Sequence, residues 1–214
     1  MPRLWESEAK QKRVGGSKQH VHQRRIHVAK PKVYLAGPEI FLSNPLSLRT
    51  AKTELCTRYG FEGKLPLHTS VTFGVPSMKQ SPYAISAANE TLIRECQVLI
   101  ANMTPFRGPS ADVGTAFEMG FARGLGLALF AYTNMPGAFE ERTASFLQGN
   151  VHRRLTGELD DAHGMEIEAY NLIDNLMLDG ALYASGTEIV VNTTSSASLY
   201  TDLWPCATFQ PVAT

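Results

Sequence analysis

An α/β fold of the flavodoxin-like, doubly wound kind is what this sequence predicts: five mostly parallel strands with helices on both faces. Three observations carry that prediction. Short apolar runs alternate with amphipathic stretches along most of the chain, which implies βαβ units with right-handed crossovers. The clearest apolar runs stop at turn residues, "VYLA" at Gly37-Pro38 and "QVLIANMT" at Pro105, as buried parallel strands do. The 214 residues, 43% hydrophobic and 19% charged, suit one globular domain with tails.

Each element has its own signal. "KVYLAGPEIF" opens with a strand at 33–36 that ends in a tight turn. "SNPLSLRTAKTELCTRYG" places Leu46, Leu48, Ala51, Leu55 and Tyr59 at helical spacing. Ser43 or Asn44 can cap this helix, Pro45 suits its first turn and Gly60 can end it. "KLPLH" at 64–68 is a candidate second strand, and 69–82 has no regular pattern. "PYAISAANETLIREC" predicts a helix with Ile85, Ala88, Leu92 and Ile93 inward. The strand "QVLIANMTP" follows, then a loop, a helix from about Val113 and the strand "LALFAY". Residues 134–165 form a polar excursion without a clear period. "EIEAYNLIDNLMLDG" reads as helical in its second half, "GTEIVV" as the last strand and "SSASLYTDLWPC" as the last helix.

Composition removes several function classes. Lys+Arg and Asp+Glu are both 20, so no global basic field for nucleic acid exists. Residues 1–31 hold most of the local basic excess and read as a disordered N-terminal extension, with a nucleic-acid arm or targeting peptide as the alternative. His20, His22 and His27 in it have no carboxylate or Cys nearby to complete a metal set. Cys56, Cys96 and Cys206 lack metal or disulfide-framework spacing, so a reduced, cytoplasmic setting is expected. No apolar run reaches membrane-spanning length.

In an open parallel sheet, ligands bind beyond the carboxyl ends of the strands. That rule collects Tyr34 and the turn Gly37-Pro38-Glu39 from the first strand. It collects "NMTPFRGPSAD", ending at Asp112, from the third. Gly114 and Thr115 then open the helix that carries Glu118, about one and a half turns in. Asp112 falls at the N-cap, where a carboxylate suits free N–H groups. A plain cap and a functional carboxylate are both open readings of it. Glu118 alone could be a solvated helix residue. Its neighbours Phe117, Phe121 and Leu125 define an apolar stripe, and Ala116, Gly120, Ala122 and Gly124 are small enough for close packing. That places Glu118 at the edge of a packed surface. Two carboxylates around a small-molecule pocket suit cleavage of a glycosidic bond. No zinc or iron pattern, Gly-rich phosphate loop or "GxSxG" elbow is present in the sequence.

Several separate segments resemble the nucleoside 2-deoxyribosyltransferase family, over about residues 32–192. They are "KVYLAGPEIF", the long "NETLIRECQVLIANMTPFRGPSADVGTAFEMGFARGLG" and "DNLML" at 174–178. The resemblance implies one domain over 32–214 that transfers the 2-deoxyribosyl group of a nucleoside to a free nucleobase, with no cofactor and no metal. It implies Glu118 as nucleophile, Asp112 as the residue that handles the proton of the base, and Tyr34 as the group that orients Glu118. Gly37, Pro38, Phe41, Asn89, Gly114, Asn175 and Met177 would line the substrate site. Asn175 would bind the sugar hydroxyls from a neighbouring subunit, so a homodimer or larger homo-oligomer with shared sites is expected. The "TPFRGPSADVGTAFE" version of the signature is most similar to a branch that includes purine-restricted members. Two departures stand out. Gln97 replaces an Asp common in the family, with a structural effect expected at a strand start. Asn89 replaces an Asp found in some members and can hydrogen-bond but not act as acid or base. Two other readings stay open. A nucleotide N-glycosidase would need a phosphate clamp, for which Arg107 and Ser110 are available. A non-catalytic nucleoside-binding module would have no need of Glu118.

Overall fold

The computed structural model describes residues 29–43, 45–66, 82–193, 199–200 and 203. The basic extension up to residue 28, Cys206 and most of the expected last helix lie outside the described residues.

Five parallel strands form the central sheet: β1 (Lys32–Ala36), β2 (Glu62–Lys64), β3 (Val98–Asn102), β4 (Ala128–Thr133) and β8 (Ile189–Val191), in the order β2-β1-β3-β4-β8. This is the doubly wound order expected. The apolar runs in β1, β3 and β4 sit at its centre, because a strand flanked by two others and covered on both faces must be apolar throughout. Tyr34, Leu99, Ala101, Leu129 and Ala131 have no exposed surface.

Helices α1 (Pro45–Arg58), α2 (Pro82–Arg94), α3 (Val113–Gly124) and α5 (Leu176–Tyr183) cover the sheet. On one face Tyr34, Leu99 and Leu129 pack with Ile93 of α2, Met119 and Ala122 of α3 and Leu182 of α5. On the other, Val33, Leu35, Ile100 and Tyr132 pack with Cys56 of α1. Gly60, at φ 85, terminates the turn after α1, a left-handed conformation that favours glycine. Gln97 precedes β3 and accepts the Lys32 backbone N–H at 2.9 Å, so it joins β1 to β3 as a structural residue. No helix among the described residues is long and apolar enough to cross a membrane.

Three expectations are corrected, and one region for which no element was expected acquires several. The second strand is Glu62–Lys64, not 64–68, and pairs Lys32 with Glu62. An edge strand needs backbone pairing more than an apolar run, while Leu65 beyond it packs on the core. The excursion at 134–165 is ordered. It contains α4 (Phe139–Phe146) and two strands, β5 (Val151–Arg153) and β6 (Leu159–Asp161), of an antiparallel sheet completed by β7 (Glu166–Ile167). Strands of three residues are too short to show a period. On α1 the buried stripe is Leu48, Lys52 and Cys56, and Leu46 is exposed. On α3 the inward residues are Thr115, Met119 and Ala122. Phe117, stacked on Phe121, is 57% exposed, and Cβ atoms built on Gly120 or Gly124 would meet nothing. Of the apolar stripe that placed Glu118 beside a packed surface, Phe117 and Leu125 are exposed and only Phe121 packs against the core.

Candidate active site

Tyr34 of β1, the turn after that strand and the start of α3 converge on Glu118. Tyr34 is the third residue of β1, and its side chain lies on the α3 face of the sheet. Its hydroxyl donates to Glu118 Oε1 at 2.6 Å across 84 residues of sequence. Burial pushes the Glu118 carboxyl up to about 7, and the charges of Asp112 and Glu39 add to that; the bond from Tyr34 opposes it. Tyr34, fully buried against a carboxylate, is pushed further above the ordinary phenol range by burial first and Glu118 second. It therefore stays a proton donor to Glu118 at any physiological pH.

Asp112 is the N-cap of α3. Its Oδ2 accepts the Thr115 backbone N–H at 3.0 Å and the Thr115 hydroxyl at 3.3 Å. Among the described residues, Oδ1 accepts no hydrogen bond. The capping and functional readings are thus compatible, since one oxygen serves each. A Cβ on Gly114 would lie 2.9 Å from Oδ2, so glycine leaves the capping rotamer its space.

Behind Glu118 lies a charged pair that sequence reasoning did not place. Glu39, in the 3-10 turn Pro38–Phe41 after β1, is 6% exposed. Its Oε1 accepts Lys52 Nζ at 2.5 Å, Asn102 Nδ2 at 2.8 Å and the Tyr132 hydroxyl at 3.2 Å. Lys52 itself is 3% exposed. Its place in an i, i+4 row between Leu48 and Cys56 was the available signal, because a lysine there needs a buried counter-charge. Gly37 has no room for a side chain: a Cβ would sit 2.0 Å from Glu39 Oε2 and 2.9 Å from Asn102 Cβ. Pro38 is buried in the same turn.

Phe41 stacks on Phe106 with centroids 5.2 Å apart, and the Arg107 guanidinium lies 4.6 Å from the Phe106 centroid and 5.2 Å from that of Phe41. The Ser110 hydroxyl donates to Asp174. The two residues available for a phosphate clamp are thus engaged, one on aromatic faces and one with a buried carboxylate. Asn89 is half-buried on α2. Asn175 caps α5: its Oδ1 accepts the Met177 N–H at 3.0 Å and its amide donates to Glu168 at 2.6 Å. Met177 is 71% exposed. Within one chain, then, Tyr34, Glu118, Asp112 and the Gly37-Pro38 turn form one cluster. Asn175 and Met177 belong to a second, linked to the first through Asp174. A carboxylate held by a phenol donor, with a second carboxylate at a helix start, can form and cleave an ester at an electrophilic carbon while a proton is moved beside it.

Residues 33–177 match the model of a family described as nucleoside 2-deoxyribosyltransferase. An uncharacterized protein of Schizosaccharomyces pombe is 27% identical over 151 residues, which are 65% of this chain and 71% of that relative. A 2-desoxiribosyltransferase from Leishmania mexicana superposes with a TM-score of 0.52 at 25% identity, over 75% of this chain and 89% of that one. The CMP N-glycosidase BcmB of Clostridium botulinum matches 47% of this chain and 70% of its own, at 19% identity and a TM-score of 0.34.

Proposed function

The chain belongs to the nucleoside 2-deoxyribosyltransferase family, and on that premise we propose that it moves a 2-deoxyribosyl group from a 2′-deoxyribonucleoside to a free nucleobase through a covalent ester at Glu118. The observation that carries this reading is the 2.6 Å bond from Tyr34 to Glu118 Oε1. It leaves Oε2 to attack and fixes the rotamer in which it does so.

In the first half-reaction Oε2 bonds to C1′ as the C1′–N bond breaks. The electron pair of that bond goes to the leaving base, which takes a proton from Asp112 Oδ1. In the second, a nitrogen of the incoming base attacks C1′, the ester bond returns its pair to Glu118, and the incoming base gives its proton to Asp112. Each displacement inverts C1′, so configuration is retained overall. Protons and charge balance over the cycle without a cofactor. A 2-hydroxyl would withdraw electrons from the oxocarbenium-like transition state, so deoxyribonucleosides are the expected substrates. Purines are the proposed bases, on the likeness of residues 104–118 to a branch that includes purine-restricted members. Asn175, half-buried and bonded to Glu168, and Met177, exposed at the start of α5, are proposed to complete the site of a second copy.

Incubation with deoxyinosine and adenine tests the reading. Formation of deoxyadenosine supports transfer. Free deoxyribose alone indicates an N-glycosidase, with water in place of the second base. Binding without either product indicates a nucleoside-binding module.

A further inference from the structure

Helix α4 lies in the excursion that looked featureless in sequence, yet its bonds reach the segments that flank both site clusters. The Arg142 side chain donates to three backbone carbonyls on three separate segments: Pro109 at 3.0 Å, Gly137 at 2.6 Å, and Ile173. Two more bonds join α4 to the segment before α5. Phe139 N–H donates to Leu172 O at 2.8 Å, and Asn171 N–H donates to Glu140 Oε1 at 3.1 Å. Asp174, 1% exposed, ties the same two loops from the other side. It accepts the Ser110 hydroxyl, the Ala111 N–H at 2.9 Å and the Asn175 N–H at 2.8 Å. The loop that ends at Asp112 and the loop that ends at Asn175 are therefore bonded to one buried carboxylate and one guanidinium.

We infer that Arg142 and Asp174 are positioning residues, a two-part staple that holds Asp112 and Asn175 in fixed register for the transfer reaction. The inference rests on the proposed transfer for its functional half only. Both residues are committed to the protein's own loops: the carboxylate of Asp174 accepts from three donors, and Arg142 donates from each of its three nitrogens to a backbone carbonyl. A guanidinium suits this task because its rigid fork bonds several acceptors at once. A carboxylate suits its own because it accepts from a hydroxyl and two backbone N–H groups together. Catalysis is sensitive to small displacements of aligned groups, so a brace remote from the sugar can set the rate. It also gives the excursion a role: α4 is a buttress that sets the spacing of two loops.

Hydrogen–deuterium exchange on the full chain tests the staple without substrate, with turnover per folded molecule as the second readout. In Arg142→Ala, exchange should rise about tenfold or more at both 109–112 and 172–176, with β3 and the sheet-facing part of α3 unchanged. In Ser110→Ala, a milder change confined to one loop, exchange should also rise at 173–176. Turnover in the deoxyinosine–adenine assay should fall roughly ten- to hundredfold in Arg142→Ala, and millimolar guanidinium should restore part of it. Exchange that rises only in the mutated loop, or uniformly through the sheet, overturns the staple. So does unchanged turnover per folded molecule when both loops have loosened. If the unmodified protein transfers nothing, the proposed function fails while the exchange arm still decides whether the loops are coupled.

Discussion

Glu118 is held between two demands. It must ionise to attack, yet burial and the charges of Asp112 and Glu39 favour its protonated form. With its carboxyl near 7 against 4.5 for a free glutamate, the folded state binds the extra proton between those values. Stability attributable to this group is thus fully present below about pH 4.5 and is lost as pH rises through 7. Glu118→Gln should therefore be inactive but more stable than the parent at pH 8, by about 1–3 kcal/mol. That advantage should vanish at pH 4, a trend that denaturant titration at the two pH values reads directly. Among the described residues the Tyr34 bond is the contact that lowers the Glu118 carboxyl, and Tyr34→Phe removes it. The acid limb of kcat/KM, expected near pH 7, should move up by about one unit, since a hydrogen bond to a charged group contributes roughly 1.5–3 kcal/mol. A limb that stays in place would exclude Glu118 as the titrating group. The two carboxylates were legible in sequence because each sits at a marked position, one capping a helix and one among apolar neighbours. Tyr34 as the partner of Glu118 was not legible from spacing; 84 residues separate the two, and only the family resemblance joined them.

At the scale of elements, the turn after β1 depends on a charge pair of which helical spacing reveals only one half, Lys52. Apolar runs announced β1, β3 and β4 because both sheet faces are covered there. The row Leu48, Lys52 and Cys56 hides the partner of its lysine, because helical periodicity records spacing and not which counter-charge waits in the core. Lys52→Met leaves Glu39 buried and uncompensated, and breaking one partner of such a pair costs about 3–5 kcal/mol. Adding Glu39→Gln to Lys52→Met should recover more than half of that loss, because the orphaned charge is gone. Urea unfolding of the two singles and the double gives the answer; a strictly additive double would mean the pair is not coupled. The antiparallel strands β5 to β7 were illegible for a different reason. Segments of two or three residues carry no period, and their order comes from pairing with one another.

At the scale of the whole molecule, α3 and α5 pack together and leave Val113, Phe117, Leu176, Met177 and Tyr183 exposed, from 40% for Leu176 to 85% for Tyr183. The apolar segment around Asn175 packs inward only in part: Leu178 lies against the core, while Leu176 and Met177 are exposed. We propose that this apolar face meets a second copy and that each Asn175 serves the partner's site, the reciprocal arrangement of a symmetric dimer. Separate Glu118→Ala and Asn175→Ala proteins should each be inactive. Mixed and allowed to exchange subunits, they should regain activity, because one site of each mixed dimer carries neither lesion. Verified exchange with no recovered activity would place Asn175 in its own chain's site or outside catalysis. The parallel sheet was readable from alternation. Which face meets a neighbour was not, since an apolar stripe on a helix has the same period whether it covers a sheet or a second subunit.

The covalent ester is the step on which transfer, retention and the role of Tyr34 all depend. The protein is incubated with deoxyinosine and no acceptor base, quenched in acid, digested and examined by mass spectrometry. A deoxyribosyl adduct should appear on the peptide containing Glu118, disappear when adenine is added before the quench, and be absent in Glu118→Gln. Turnover of deoxyinosine with no adduct under any quench, or an adduct on another residue that persists in Glu118→Gln, would contradict Glu118 as the nucleophile.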